Sequence, residues 1–185
     1  MQKRIIYSGP SKIDGSPIVA IYLQGSNNKK TGRSMSQVYI LPADIDPITA
    51  NRTGKDFGIC GDCPHRGKAN PDKAKGFAEG RSCYVNLGQG PNQIYKAYRS
   101  GKYAQSTLED LPAIGAGQTI RLGAYGDPLA IPSHIIRALL SKSKGHTSYT
   151  HASGLLPDAT MSHSMISADT PEQALEAHNK GLRTF

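Results

Sequence analysis

Apolar and polar positions alternate in three short runs near the start of the chain. Arg4–Ser8, Pro17–Leu23 and Gln37–Leu41 each read as a strand. Pro17–Leu23 contains the near-continuous apolar run Ile18-Val19-Ala20-Ile21-Tyr22-Leu23, the pattern of a strand buried on both faces. Gly9-Pro10 and the polar run Gly25–Gly32 punctuate these strands as turns, so residues 1–45 form a small antiparallel β lead-in. Asp46-Pro47 then opens a short helix, with Asp46 as N-cap and Pro47 in the first turn. From Gly54 to Arg81 the apolar periodicity fades, and the segment reads as a long loop, a kind of segment that in compact domains usually serves function. Helical spacing returns over Pro91–Tyr103, through Ile94, Tyr95, Ala97 and Tyr98, and Gly101 ends it.

The second half alternates strand and helix. Thr119–Gly123 reads as a strand, Ile135–Leu140 as an amphipathic helix capped by Ser133, and Thr147–Ala152 and Met161–Ala168 as further strands. Thr170-Pro171-Glu172 places cap, proline and acidic residue in the preferred order for a last helix, which runs to about Asn179 with Gly181 beyond its end. Leu182–Phe185 starts another strand. Alternation of this kind predicts an α/β fold with a parallel sheet, in form a partial (β/α) barrel. The chain is thus expected to form one domain over 1–185: the β lead-in, a loop over 54–90, and β/α repeats over 115–185.

The loop changes the picture because it holds every cysteine of the 185-residue chain: Cys60, Cys63 and Cys83. An odd cysteine count without a secretory h-region argues against a disulfide framework and points to the reducing cytoplasm. Gathered thiolates suit a thiophilic metal or an iron–sulfur cluster, and three of them leave one metal position open. No run approaches the ~18 apolar residues of a membrane span, so no membrane partner is expected.

Charge is divided unevenly. The net charge is +8, but residues 1–103 carry sixteen Lys/Arg against seven Asp/Glu, whereas 104–185 carry six against seven. The basic half, which includes the cysteine loop with Lys68, Lys73, Lys75 and Arg81, fits either a solvated surface or a nucleic-acid or nucleotide partner. Tyr95, Tyr98 and Tyr103 interleave with Lys96, Arg99 and Lys102; the preferred reading puts the tyrosines in the core and the cations in water.

Chemistry also gathers at the end of the Thr119–Gly123 strand, where Gly123-Ala124-Tyr125-Gly126-Asp127-Pro128 turns the chain. Gly126 would admit a ligand close to the backbone, and Asp127 would accept hydrogen bonds from an amine or a ribose hydroxyl. A tight turn capped locally by Asp127 gives the same letters. Of the histidines, His151 and His163 are candidate fourth ligands for a Cys3His zinc site, while His65 lies too close to Cys63 for a relaxed knuckle. His151 is also a candidate acid–base group facing the pocket of Asp127.

Strand, Gly-x-x-Gly-Asp-Pro and amphipathic helix, preceded by three cysteines, resemble the Gly-Gly-Glu-Pro turn and cluster loop of radical S-adenosylmethionine enzymes. Over nearly its full length the chain is similar to an uncharacterised phage and bacterial family. That family shares Cys-Gly-x-Cys-Pro-x-Arg, Cys-Tyr-Val, Arg-Leu-Gly-x-Tyr-Gly-Asp-Pro and Thr-x-Tyr-Thr-His. The resemblance implies a four-iron four-sulfur cluster on Cys60, Cys63 and Cys83, S-adenosylmethionine on its open iron, and Gly123, Tyr125, Gly126 and Asp127 lining the cofactor site. It implies radical chemistry on a nucleic-acid-related substrate. This chain departs from the radical enzymes' Cys-x3-Cys-x2-Cys, its third cysteine lying twenty positions after the second; Asp stands for Glu in the turn, and Ala124-Tyr125 separates the glycines. Its relatives continue past the equivalent of Phe185, so the chain, host-cytoplasmic if phage-encoded, reads as a shortened member. The alternative is a basic, zinc-stabilised nucleic-acid-binding phage protein without catalysis.

Overall fold

A computed structural model describes residues 2–25, 34–152 and 163–185. The three lead-in strands form as the alternation predicts: β1 (Lys3–Pro10), β2 (Pro17–Leu23) and β3 (Met35–Pro42) make an antiparallel meander. β2 lies at its centre, and Ile18, Val19, Ala20, Ile21 and Tyr22 are all fully buried, as a continuous apolar run requires. Parallel strands extend this meander on both sides. β4 (Ala104–Gln105) joins β1, while β5 (Thr119–Tyr125) joins β3 and is followed by β6 (Gly145–Thr147). The result is one six-stranded mixed sheet in the order β4-β1-β2-β3-β5-β6.

The α/β class and the antiparallel lead-in therefore hold, and three of the five strand pairings are parallel. Among the described residues the sheet stays open, with β4 and β6 at its edges, and no barrel closes. The expected strand over 147–152 is divided at Ser148. Its first part is β6, and its second is β7 (Tyr149–Thr150), which pairs in parallel with β8 (Met165–Ile166) as a separate two-stranded unit. Residues 161 and 162 of the expected next strand lie outside the described residues. The chain end adds Thr184 beside Ile166 through an isolated parallel bridge.

The helices are α1 (Pro47–Thr53), α2 (Phe57–Cys60), α3 (Gly90–Arg99), α4 (Leu111–Gly115), α5 (Ser133–Leu140) and α6 (Pro171–Asn179). Four of them appear where caps and spacing place them, with shifted ends; two short ones, α2 and α4, are not among the expected elements, α2 lying inside the expected loop. Asp46 caps α1 by accepting from the N–H groups of Ile48 and Thr49, both at 3.0 Å. Thr170 Oγ1 caps α6 through Gln173 N–H at 3.3 Å. Ser133 is the first residue of α5 rather than its cap, a position that falls to Pro132. On α3, Tyr95 is buried while Lys96 and Arg99 face water, the core-facing arrangement expected of that helix.

One turn determines how the cysteine segment meets the sheet. β5 bulges against β3: Gln37 pairs with Arg121, but Tyr39 pairs with Tyr125, so β5 carries extra residues around Gly123. Gly123 (φ +66°) and Gly126 (φ +80°) both hold left-handed backbone. A Cβ on Gly126 would sit 2.8 Å from the Ile40 carbonyl oxygen and 3.3 Å from that of Ile59. The close approach is thus to β3 and α2 of the protein itself. Gly126→Ala would add left-handed strain and overpacking, a cost of about 3 kcal/mol. Urea denaturation should show a clearly lower midpoint with an unchanged slope; a wild-type midpoint would mean that the turn relaxes freely.

Candidate metal centre

The segment that carries Cys60 and Cys63 is clamped by one guanidinium. Arg66 donates to Asp56 Oδ1 through Nε at 3.1 Å and Nη2 at 2.5 Å, to the Gly61 carbonyl at 2.7 Å and to the Gly54 carbonyl at 3.0 Å. Its carbon lies 5.3 Å from the Phe57 ring centre. The buried Asn51 completes the clamp by donating to Asp56 Oδ2 at 2.8 Å and to the Arg66 carbonyl at 3.0 Å. Asp56 is 2% exposed, so its charge depends on these partners. The expected loop is therefore ordered by a charge-assisted network, with α2 and a short 3-10 turn over Pro64–Arg66 inside it.

Cys83 is distant in sequence but is brought back by the backbone. Lys68 and Glu79 exchange two backbone hydrogen bonds, 2.8 and 2.9 Å, which close the intervening residues into an excursion. Beyond it, the His65 carbonyl accepts from both Ser82 N–H at 3.2 Å and Cys83 N–H at 3.1 Å. Arg81 fixes the following chain through the carbonyls of Cys83 and Val85. Cys83 thus lies near enough to Cys63 for its charge to raise the Cys63 thiol, and Cys63 in turn raises Cys60. Desolvation is the main cause, and it pushes Cys63 up to about 11 and Cys60 well above the ordinary thiol range. Without a cation, both sulfurs are protonated at neutral pH.

The three sulfurs do not themselves gather into a ligand group among the described residues, and the turn after β5 is held within the protein rather than projecting toward a ligand. Asp127, expected to accept from a ligand amine, uses both carboxylate oxygens within the protein. Oδ1 takes Leu129 N–H at 2.9 Å; Oδ2 takes Thr150 Oγ1 at 2.8 Å, His151 N–H at 3.0 Å and Ala152 N–H at 3.3 Å. Its own N–H donates to the Ile59 carbonyl at 2.5 Å. The local capping reading of this aspartate is the one that fits, and Gly126 serves chain packing. Tyr125 differs: it is buried, and its hydroxyl has no hydrogen-bond partner among the described residues. Burial raises its pKa well above the usual range, and the next influences are Cys60 and Asp56, with Arg81 and Cys83 also felt. Tyr84, beside Cys83, turns outward and accepts from Arg121 Nη2 at 2.5 Å.

The fold brings one of the two candidate histidine ligands to the cysteines. His151 Nδ1 lies 3.4 Å from Cys63 Sγ. His163 instead packs its ring against His146, at 6.3 Å between centres, and its carbonyl accepts from His146 Nε2 at 3.0 Å. Two groups escaped the sequence reading. His65, set aside as too close to Cys63, stands edge-on to His151 with ring centres 5.3 Å apart. Asp169, hidden among helix-start letters, reaches His65 Nε2 at 3.1 Å. The Pro64 turn was the available signal for His65, since it reverses the chain directly after Cys63. Nothing local flagged Asp169.

No family model, curated protein or solved structure matches the chain. Among the described residues no helix is long and apolar enough to cross a membrane.

Asp127→Ala would leave the N–H groups of Leu129, His151 and Ala152 and the Thr150 hydroxyl without their buried acceptor, a cost of about 3–5 kcal/mol. Thermal unfolding should shift down by many degrees. An unshifted transition would show that water satisfies the four donors.

Proposed function

We propose that the chain is a metal-binding protein whose centre is held by Cys60, Cys63 and Cys83. One observation carries this reading: a single turn, through the His65 carbonyl, returns Cys83 to the segment of Cys60 and Cys63. One ring nitrogen also meets a sulfur, and one hydroxyl is buried in the same region. His151 Nδ1 is 3.4 Å from Cys63, and the unpaired Tyr125 hydroxyl is buried in the electrostatic neighbourhood of Cys60 and Cys83. Metal-bound thiolates take up such hydrogen bonds, and the bonds tune the centre. Three thiolates suit an iron–sulfur cluster with one open iron. Radical chemistry with S-adenosylmethionine is what the family resemblance adds. The geometry supports the cluster more than it supports that cofactor's amino-acid anchor, because Asp127 is already saturated.

A second reading has its own observation. In a tetrahedral zinc site with Zn–S near 2.3 Å and Zn–N near 2.0 Å, neighbouring sulfur and nitrogen ligands lie about 3.6 Å apart. The Cys63–His151 separation of 3.4 Å is close to that edge, and this one distance supports His151 Nδ1 as the fourth ligand in the zinc reading. In either reading Lys68, Lys73 and Lys75 stand exposed on the excursion next to the centre, which suits an anionic substrate such as nucleic acid.

Anaerobic purification followed by iron, sulfide and zinc analysis separates the readings. Brown absorption with iron and sulfide supports the cluster; one colourless zinc per chain supports the second reading; neither metal, together with unchanged loading of Cys63→Ser, sinks both. Because Cys60 and Cys63 must each lose a proton, affinity for a divalent ion should climb with pH by about two orders of magnitude per unit below the thiol range. A flat profile between about pH 6 and 8 would exclude these thiols as ligands. Binding to a single-stranded oligonucleotide, if the excursion makes it, should weaken as salt rises and fall further when Lys68, Lys73 and Lys75 are replaced by Gln.

A further inference from the structure

Beside the cysteines stands a second group of metal-ligating atoms that belongs to no thiolate. His65 Nε2 lies 3.1 Å from Asp169 Oδ1, and His151 Nε2 lies 3.6 Å from the same oxygen. All three atoms fall within 4.8 Å of one another. Ligands about 2.0–2.1 Å from a tetrahedral ion are about 3.3 Å apart, and the two observed separations straddle that value. The rings meet edge-on, at 72°, so their Nε2 atoms converge without stacking.

Each ligand is mounted on ordered backbone. His65 belongs to the turn whose carbonyl gathers Ser82 and Cys83. His151 is fixed through its N–H to Asp127. The Asp169 N–H donates to Gln173 Oε1 at 2.7 Å, at the start of α6. The remaining ring nitrogens are also provided for. His65 Nδ1 faces Ser82 Oγ at 2.8 Å, and His151 Nδ1 faces Cys63 Sγ. A metal-bound histidine normally donates its other N–H to such a partner. Both partners are in place for that tautomer, in which each Nε2 lone pair can point at a shared ion.

We propose that His65, His151 and Asp169 form a second divalent-metal position, adjoining the cysteine centre and joined to it through His151. Two imidazoles and one carboxylate suit a borderline ion such as zinc or ferrous iron, and three protein ligands leave positions for water and for a substrate oxygen. The site faces solvent: the side chains of His65, Asp169 and His151 are 41%, 34% and 22% exposed. The cysteine centre rests on the reading proposed above, whereas this ligand set does not.

The test uses the full chain, stripped with chelator and titrated with cobalt(II) without oxygen, followed by absorption and by bound cobalt per chain. Two ions are expected, of which one produces thiolate-to-cobalt charge transfer. His65→Ala and Asp169→Ala should each lose one ion and keep the charge-transfer band. His65→Ala gives up the side-chain contact with Ser82 Oγ but keeps the backbone carbonyl that accepts from Ser82 and Cys83, so the turn has its main-chain bonds in that variant. The triple Cys60→Ser, Cys63→Ser, Cys83→Ser chain should keep one ion without the band. A single ion with the band, unchanged in His65→Ala and Asp169→Ala, overturns the second position and leaves the cysteine reading standing. A single ion without the band, lost in His65→Ala, does the reverse.

Discussion

The carboxylate of Asp127 is the joint on which the arrangement depends. It terminates β5, starts the 3-10 turn at Leu129 and receives three donors from Thr150–Ala152, while its own N–H holds the Ile59 carbonyl just ahead of Cys60. Three chain segments far apart in sequence, at Ile59, 127–129 and 150–152, are thereby referred to one residue. A buried carboxylate is costly unless its acceptors are filled. Here its partners are N–H and O–H groups, which can satisfy it only in one geometry. The placement of His151 beside Cys63 follows from that requirement, not from any contact of the imidazole itself.

A second charged group does the same for the cysteine segment. Arg66 closes the stretch from Gly54 to Gly61 by bonding carbonyls at both ends and the buried Asp56 between them. Arginine is suited to this because its planar fork offers several fixed donors, where a lysine offers one point charge. The two polar joints do what apolar packing does in the sheet: they give a segment with few core residues a single conformation.

These joints also mark what could be read from letters. The lead-in strands, the caps at Asp46 and Thr170 and the core-facing Tyr95 are local properties, and each was legible from periodicity or turn chemistry. The barrel-like continuation was not, because strand–helix alternation does not say whether a sheet closes. Ser148 divides an apparently continuous strand because it bonds sideways, with its hydroxyl 2.6 Å from Ser164 Oγ. The role of Asp127 was open between ligand and cap because both use the same acceptor, and only the positions of Thr150–Ala152 decide it. Asp169 was invisible, since its partners lie more than a hundred positions away at His65 and, nearer, at His151.

The electrostatics of the site then run against the charge of its surroundings. The basic half of the chain carries a large positive excess, yet Lys68, Lys73 and Lys75 are spent on the surface of the excursion and Arg66 is committed to Asp56. Inward of them lie three thiols and the carboxylates of Asp127 and Asp169. Among the described residues Asp127 is met by neutral donors alone, and its charge is one of the influences that raise Cys60 and Cys63. Desolvation comes first, the neighbouring carboxylate charges add to it, and Arg66 opposes it only in part at Cys60, so Cys60 and Cys63 stay in the neutral thiol form.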